Sequence, residues 1–289
     1  MRPFGARLAA AMAEHGPLCV GIDPHASLLD AWGLPDDAEG VRRFALTVME
    51  AVGGSVAAVK PQAAFFERHG SAGVAALEEV VAAGRDTGTL VVVDAKRGDI
   101  GSTMGAYADA FLRDGSSLAG DALTVSPYLG FGSLAPAVDL ALATGRGLFV
   151  LALTSNPEGP EVQHARDAEG VAVADRVARA AAASNAAELG AGGAAAGEPL
   201  GSVGLVVGAT IGDAAARLGV DLAAVRGPLL APGVGAQGAG PAELAAVFGD
   251  ARSAVLASSS RGVLAAGPDV RALRDAARSA ADAAGAALR

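Results

Sequence analysis

GVAALEEVVAAGRDTGTLVVVDAK, residues 73–96, changes pattern partway along. Its first part, 73–86, is amphipathic in the manner of a helix. Its last part, LVVVDAK (90–96), is short, β-branched and nearly all apolar until it ends in charge. A strand that does not alternate apolar with polar residues is buried on both faces, as strands of parallel sheets are. The stretch therefore reads as a helix, a tight connection and a buried parallel strand.

Working outward, seven more runs of this kind recur: LCVGID (18–23), VAAVKP (56–61), ALTVSP (122–127), LFVLALT (148–154), VGLVVGAT (203–210), PLLAPGVG (228–235) and AVLASSSR (254–261). Amphipathic stretches separate them, among them VADRVARAAAASNAAEL (173–189), and DVRALRDAARSAADAAGAALR (269–289) closes the chain. Eight strands alternating with helices over 289 residues predict an α/β fold, a single (β/α)8 TIM barrel spanning 1–289. A doubly wound open sheet is the rival, but eight units without a halfway division favour closure. GAGGAAAGEPLG (190–201) breaks the rhythm before the sixth strand and reads as a flexible Ala/Gly-rich insertion.

The chain is 52% hydrophobic and carries a formal net charge of −9 with no basic run, which argues against a nucleic-acid partner. No run of apolar residues is long enough, free of charges and glycine breaks, to predict a membrane span. MRPFGARLAAAMAEHG (1–16) lacks the apolar core and cleavage site of a signal peptide, so the cytoplasm is the expected compartment. The single cysteine, Cys19, cannot form an internal disulfide and reads as a small buried hydrophobe. His15, His25, His69 and His164 show no paired ligand spacing, and no metal is expected. His25 reads as a solvated loop residue, and Trp32 has no assigned role.

In such a barrel, chemistry sits at the C-terminal ends of the strands. Those ends carry Asp23, Lys60, Asp94 with Lys96, Ser126, Thr154, Thr210, Gln237 and Arg261, whereas the N-terminal ends are bland. Side chains alternate along a strand, so Asp94 and Lys96 should share the face that lines the mouth. Lys60 ends an earlier strand and Asp99 follows in the loop, so two ammoniums and two carboxylates can form one array. Two readings stay open on spacing alone: a buried ion-pair network that closes the barrel, and a catalytic array. Gly233, Gly235 and Gly238 make a G-x-G-x-x-G, but no acid stands about 20 residues on, as a dinucleotide fold requires. A glycine-rich turn is one reading. The other is a phosphate site in the loops after strands seven and eight, with Gln237 and the forked donors of Arg261.

DAKRGDIGST (94–103) closely resembles the D-x-K-x-x-D-I-x-x-T signature of the orotidine 5′-phosphate decarboxylase family, in its bacterial branch with longer chains. GIDP (21–24), VKPQAAFFE (59–67), TVSPYLG (124–130), APGVGAQG (231–238) and SSSRG (258–262) match in order at other strand ends. The resemblance implies an enzyme that decarboxylates orotidine 5′-phosphate to UMP and CO2 in de novo pyrimidine biosynthesis, without a cofactor. It implies that Lys96 stabilises and protonates a C6 carbanion, that Asp94 lies beside the departing carboxylate, and that Lys60 and Asp99 complete the array. Asp99, with Thr103 reaching toward the ribose, would cross from the second subunit of a homodimer. Ile100 would wall the carboxylate pocket, Ser126 would bond the pyrimidine edge, and Asp23 would contact the nucleoside. Gln237 and Arg261 would hold the 5′-phosphate, with Gly233 and Ser260 beside them.

Two other functions compete. Mg²⁺-dependent sugar-phosphate decarboxylases and isomerases of related fold share D-x-K-x-x-D, but they place a metal-holding carboxylate where Lys60 stands, and a lysine repels the ion. A non-catalytic nucleotide-binding barrel has no need of Lys96.

Overall fold

The computed structural model describes residues 2–190, 200–234 and 239–289. Most of the expected insertion (191–199) and Gln237 lie outside the described residues.

Eight parallel strands follow one another around a closed ring in chain order. They are β1 (Leu18–Ile22), β2 (Ala58–Pro61), β3 (Leu90–Arg97), β4 (Ala122–Val125), β5 (Gly147–Leu153), β6 (Val203–Val207), β7 (Leu229–Pro232) and β8 (Val255–Ser259). β1 pairs with β8 as well as with β2, which excludes the open sheet. The strands begin where the apolar runs do, but several stop sooner. β4 ends at Val125, leaving Ser126 in the loop, and β6 ends at Val207, short of Thr210.

Alternation along each strand sorts the side chains into two cores. Val20, Val59, Val91, Val93, Leu123 and Val125 pack outward against the helices. Cys19, Ala58, Val92, Ala122, Phe149, Val206, Leu230 and Leu256 fill the barrel. Both faces are apolar, and for that reason the runs showed no period of two. Burial pushes the Cys19 thiol up to about 12, which keeps it protonated and in accord with a small buried hydrophobe.

The helix α1 (Phe4–His15) stoppers the barrel where the strands begin. Phe4 and Leu8 join the interior cluster, and Phe4 meets Phe149 edge to face at 5.9 Å. A Cβ on Gly147, the first residue of β5, would lie 2.1 Å from the Phe4 ring, so the close seat of the ring requires glycine there. Burying a phenylalanine in this way stabilises the fold by about 1.5–3 kcal/mol. Arg7 fastens the same helix: it donates to the Asp121 carboxylate and, at 3.0 Å, to the Gly145 carbonyl.

Gly70–Thr87, Val173–Leu189 and Val270–Leu288 are the helices of the three amphipathic stretches. Asp269 caps the last of them by accepting from the Ala272 N–H at 2.7 Å. Trp32 is buried, donates from Nε1 to the Leu264 carbonyl at 3.1 Å, and packs 4.1 Å from the Phe44 ring. His25 is exposed, with Phe65 edge-on at 4.3 Å. Among the described residues no helix is long and apolar enough to cross a membrane.

Candidate active site

The end of β3 is not a regular strand. Val93 pairs with Leu123 of β4 and Arg97 with Val125, so the three residues Asp94, Ala95 and Lys96 face the single residue Thr124. This is a bulge, and within it Lys96 takes a φ of +48°, the left-handed region that L-residues rarely enter. Asp94 and Lys96 do meet at the mouth, but the bulge brings them there, not the simple alternation expected from the sequence.

Asp94 is the centre of the cluster. Its Oδ2 accepts from Lys60 Nζ at 2.6 Å and from Gln62 Nε2 at 3.2 Å. Its Oδ1 accepts from Lys96 Nζ at 2.6 Å and from the Thr124 hydroxyl at 2.8 Å. Asp94 and Lys60 are buried, whereas the Lys96 side chain is 43% exposed and reaches into the open mouth. Burial alone would raise the Asp94 carboxyl, but Lys60 and Lys96 outweigh it and hold the group well below the usual aspartate range. Burial would likewise lower the Lys60 ammonium, but Asp94 and then Asp23 keep it above the ordinary lysine range. The result is an ionised carboxylate between two ammoniums, fixed in place with every strong acceptor position occupied.

These residues form one wall of a cavity of about 390 Å³ at the C-terminal mouth. Asp23 from the end of β1, Gly233 after β7, and Ser260 and Arg261 after β8 line it as well. β7 stands four strands from β3 in an eight-stranded ring, so Gly233 faces the charged array from across the mouth. Asp23 Oδ1 is buried without a hydrogen-bond partner among the described residues. Gly21 leaves room for the Ser260 side chain: a Cβ there would lie 2.0 Å from Ser260 Oγ.

Four expected site residues are not on this lining. Asp99 accepts from its neighbour's N–H, Ile100, at 2.8 Å, and forms no ion pair with Lys60 or Lys96 among the described residues. Ile100 is 61% exposed, and Thr103 lies exposed in the first turn of the helix Gly101–Leu112. Ser126, just past β4, is not on the cavity lining; its backbone N–H donates to the Arg97 carbonyl at 2.8 Å. Thr154 and Ser155 at the end of β5 are on the wall, as are Thr124 of β4 and the β8 residues Ser258 and Ser259. Thr154 Oγ1 donates to Asn156 Oδ1 and accepts from Gln163 Nε2, each at 2.6 Å. Sequence reasoning gave Thr154 no role and passed over Ser155, Gln62 and Thr124. A polar residue inside the apolar run ALTV was the available signal for Thr124. Among the described residues no group of three or more histidine, cysteine or acidic side chains is placed to hold a metal ion.

Arg97 braces the outer side of the bulge. It pairs with Glu67, and its guanidinium lies 5.6 Å from the Tyr107 ring centre and 5.5 Å from that of Phe111.

Comparison with known proteins fits this geometry. The family model described as "Orotidine 5′-phosphate decarboxylase / HUMPS family" matches residues 16–276. The chain is 61% identical over 277 residues to the orotidine 5′-phosphate decarboxylase of Streptomyces coelicolor, covering 96% of this chain and 95% of that one. A crystal structure from Streptomyces avermitilis, of a protein proposed to be an orotidine 5′-phosphate decarboxylase, superposes with a TM-score of 0.92 at 61% identity, covering 100% of this chain and 96% of that one. The OMP decarboxylase of Leishmania donovani superposes with a TM-score of 0.71 at 31% identity, covering 97% of each chain. A likeness that runs through the whole barrel at this identity carries one conclusion: the chain belongs to the orotidine 5′-phosphate decarboxylase / HUMPS family.

Proposed function

We propose that this protein is an orotidine 5′-phosphate decarboxylase, converting orotidine 5′-phosphate to UMP and CO2 in pyrimidine biosynthesis. The observation that carries this reading is the Lys60–Asp94–Lys96 array, a preorganised set of charges on the wall of a cavity that has Arg261 at its rim.

The bond between C6 and its carboxylate breaks, CO2 departs, and the electron pair stays on C6. The Lys96 ammonium stabilises that charge as it develops and transfers a proton to C6; water then reprotonates the amine. Asp94 remains anionic and anchors the Lys96 ammonium at 2.6 Å. Because the donors and charges are already oriented, little reorganisation accompanies the reaction, and stabilisation of the carbanion-like transition state is the principal effect. Gly233, Ser260 and Arg261, with Gln237, hold the 5′-phosphate, and Asp23 contacts the nucleoside. Thr154 and Ser155 take the pyrimidine edge in place of Ser126, because they stand on the wall and Ser126 does not.

Asp99, Ile100 and Thr103 serve the site of a second copy in a homodimer. The exposed apolar residues around that rim, Ile100, Tyr128 at 76% and Leu129 at 54%, support such a contact.

The test is the assay of orotidine 5′-phosphate decarboxylation after exhaustive EDTA treatment, with Lys96→Ala beside the wild type. Full activity after EDTA and near-complete loss in a folded Lys96→Ala protein are expected. A variant within about tenfold of wild type, a loss of only about 1.4 kcal/mol, would remove Lys96 as the proton donor. Activity lost to EDTA and restored by Mg²⁺ would favour the sugar-phosphate chemistry.

A further inference from the structure

Thr124 is the only polar residue of β4 and is 1% exposed. At the bulge it stands alone opposite Asp94, Ala95 and Lys96. In a regular ladder the Lys96 N–H would find a backbone carbonyl on a neighbouring strand; here Thr124 Oγ1 accepts it at 2.9 Å. The hydroxyl has one proton to give, and it goes to Asp94 Oδ1 at 2.8 Å. That oxygen also accepts from Lys96 Nζ at 2.6 Å. The hydrogen bonds thus form a closed loop that begins at the Lys96 backbone and returns to the Lys96 ammonium.

We infer that Thr124 is a positioning residue for Lys96: its hydroxyl holds the left-handed backbone and fixes the Asp94 oxygen that anchors the ammonium. The inference rests on the decarboxylase reading above. A left-handed backbone at a residue other than glycine costs on the order of 1–3 kcal/mol and persists only where its surroundings over-determine it. The Thr124 hydroxyl is one such determinant, and it supplies the partner that the bulge removes. Lys96 also has a long, half-exposed stem, so an ammonium aimed at one carbon atom needs a fixed anchor. Thr124 stabilises that anchor from the face opposite Gln62 and Lys60, which occupy the other carboxylate oxygen.

The test uses Thr124→Ala and Thr124→Val, which both lack the hydroxyl but differ in volume, together with Thr124→Ser, which keeps it. Both hydroxyl-free variants are expected to lose about 10- to 100-fold in kcat on orotidine 5′-phosphate, the range carried by a hydrogen bond to a charged group. Their KM should stay within about threefold of wild type, because the lost interaction acts on the reacting group and not on substrate binding. Thr124→Ser should recover most of the rate. Ala and Val variants with wild-type kcat, losses that track volume, or a Ser variant as slow as Val would each overturn the inference. Should both hydroxyl-free proteins fail to fold, Thr124→Cys replaces them, since a thiol is a weak donor and acceptor in nearly the space of serine. A Cys variant markedly slower than Ser then supports the inference, and equal rates overturn it. An inactive wild type would sink the decarboxylase reading and this inference together, whereas an active wild type with unimpaired variants sinks this inference alone.

Discussion

Asp94 holds two ammoniums at 2.6 Å each and has no lone pair left for water. Its folded value lies below the ordinary aspartate value, so its stabilising contribution is complete above about pH 3.9 and disappears as pH falls through the lower folded value. The carboxyl ¹³C shift of Asp94, identified by its loss in Asp94→Asn, should therefore show no titration between pH 7 and about 4. A midpoint near 4 or above would mean that Lys60 and Lys96 do not hold the carboxylate as their distances indicate. Lys60, Asp94 and Lys96 were legible in the sequence because a charge at the end of a doubly buried strand has few structural reasons to be there. Thr124 and Gln62 were not, because their roles depend on the bulge. Nothing in LVVVDAK marks Lys96 as left-handed, and the rule of alternation assumes a regular strand.

Among the elements, Gly233 directly after β7 faces the charged array across the mouth, and Arg261 after β8 adds a cation to the lining. Binding energy from a remote phosphate can be used to orient and desolvate the reacting ring. Arg261→Ala should therefore cost on the order of 2–3 kcal/mol in kcat/KM on orotidine 5′-phosphate. On orotidine, which has no phosphate, the same change should cost little. Equal losses on both substrates would mean that Arg261 supports the fold and that the phosphate lies elsewhere. The order of the elements could be read in advance, because a strand covered on both faces writes an uninterrupted apolar run. The ends of the strands could not. ALTVSP runs two residues past β4, where Ser126 stays hydrogen-bonded to Arg97 of β3, while Thr154, noted at a strand end but given no role, and Ser155 line the cavity.

For the whole molecule, closure followed from a count of eight units, but the proposed sharing of a site between two copies is not written in one chain's pattern. It is testable by complementation. Lys96→Ala and Asp99→Ala should each be nearly inactive alone. Mixed and allowed to exchange subunits, they should form heterodimers with one intact site and one doubly altered site. Statistical mixing makes about half the dimers mixed, so activity should recover to about a quarter of wild type per total site, which a steady-state assay reads directly. No recovery after demonstrated exchange would place Asp99 and Lys96 in the same subunit's site.

The stopper formed by Phe4 and Leu8 has a further consequence. It makes the barrel a cul-de-sac, not a tunnel. Nucleotide arrives, and nucleotide and gas leave, through one doorway. CO2 has no drain through the floor and must slip past UMP or follow it out, and the next substrate waits for both. Arrival and departure share one threshold, at the rim and not at the packed base.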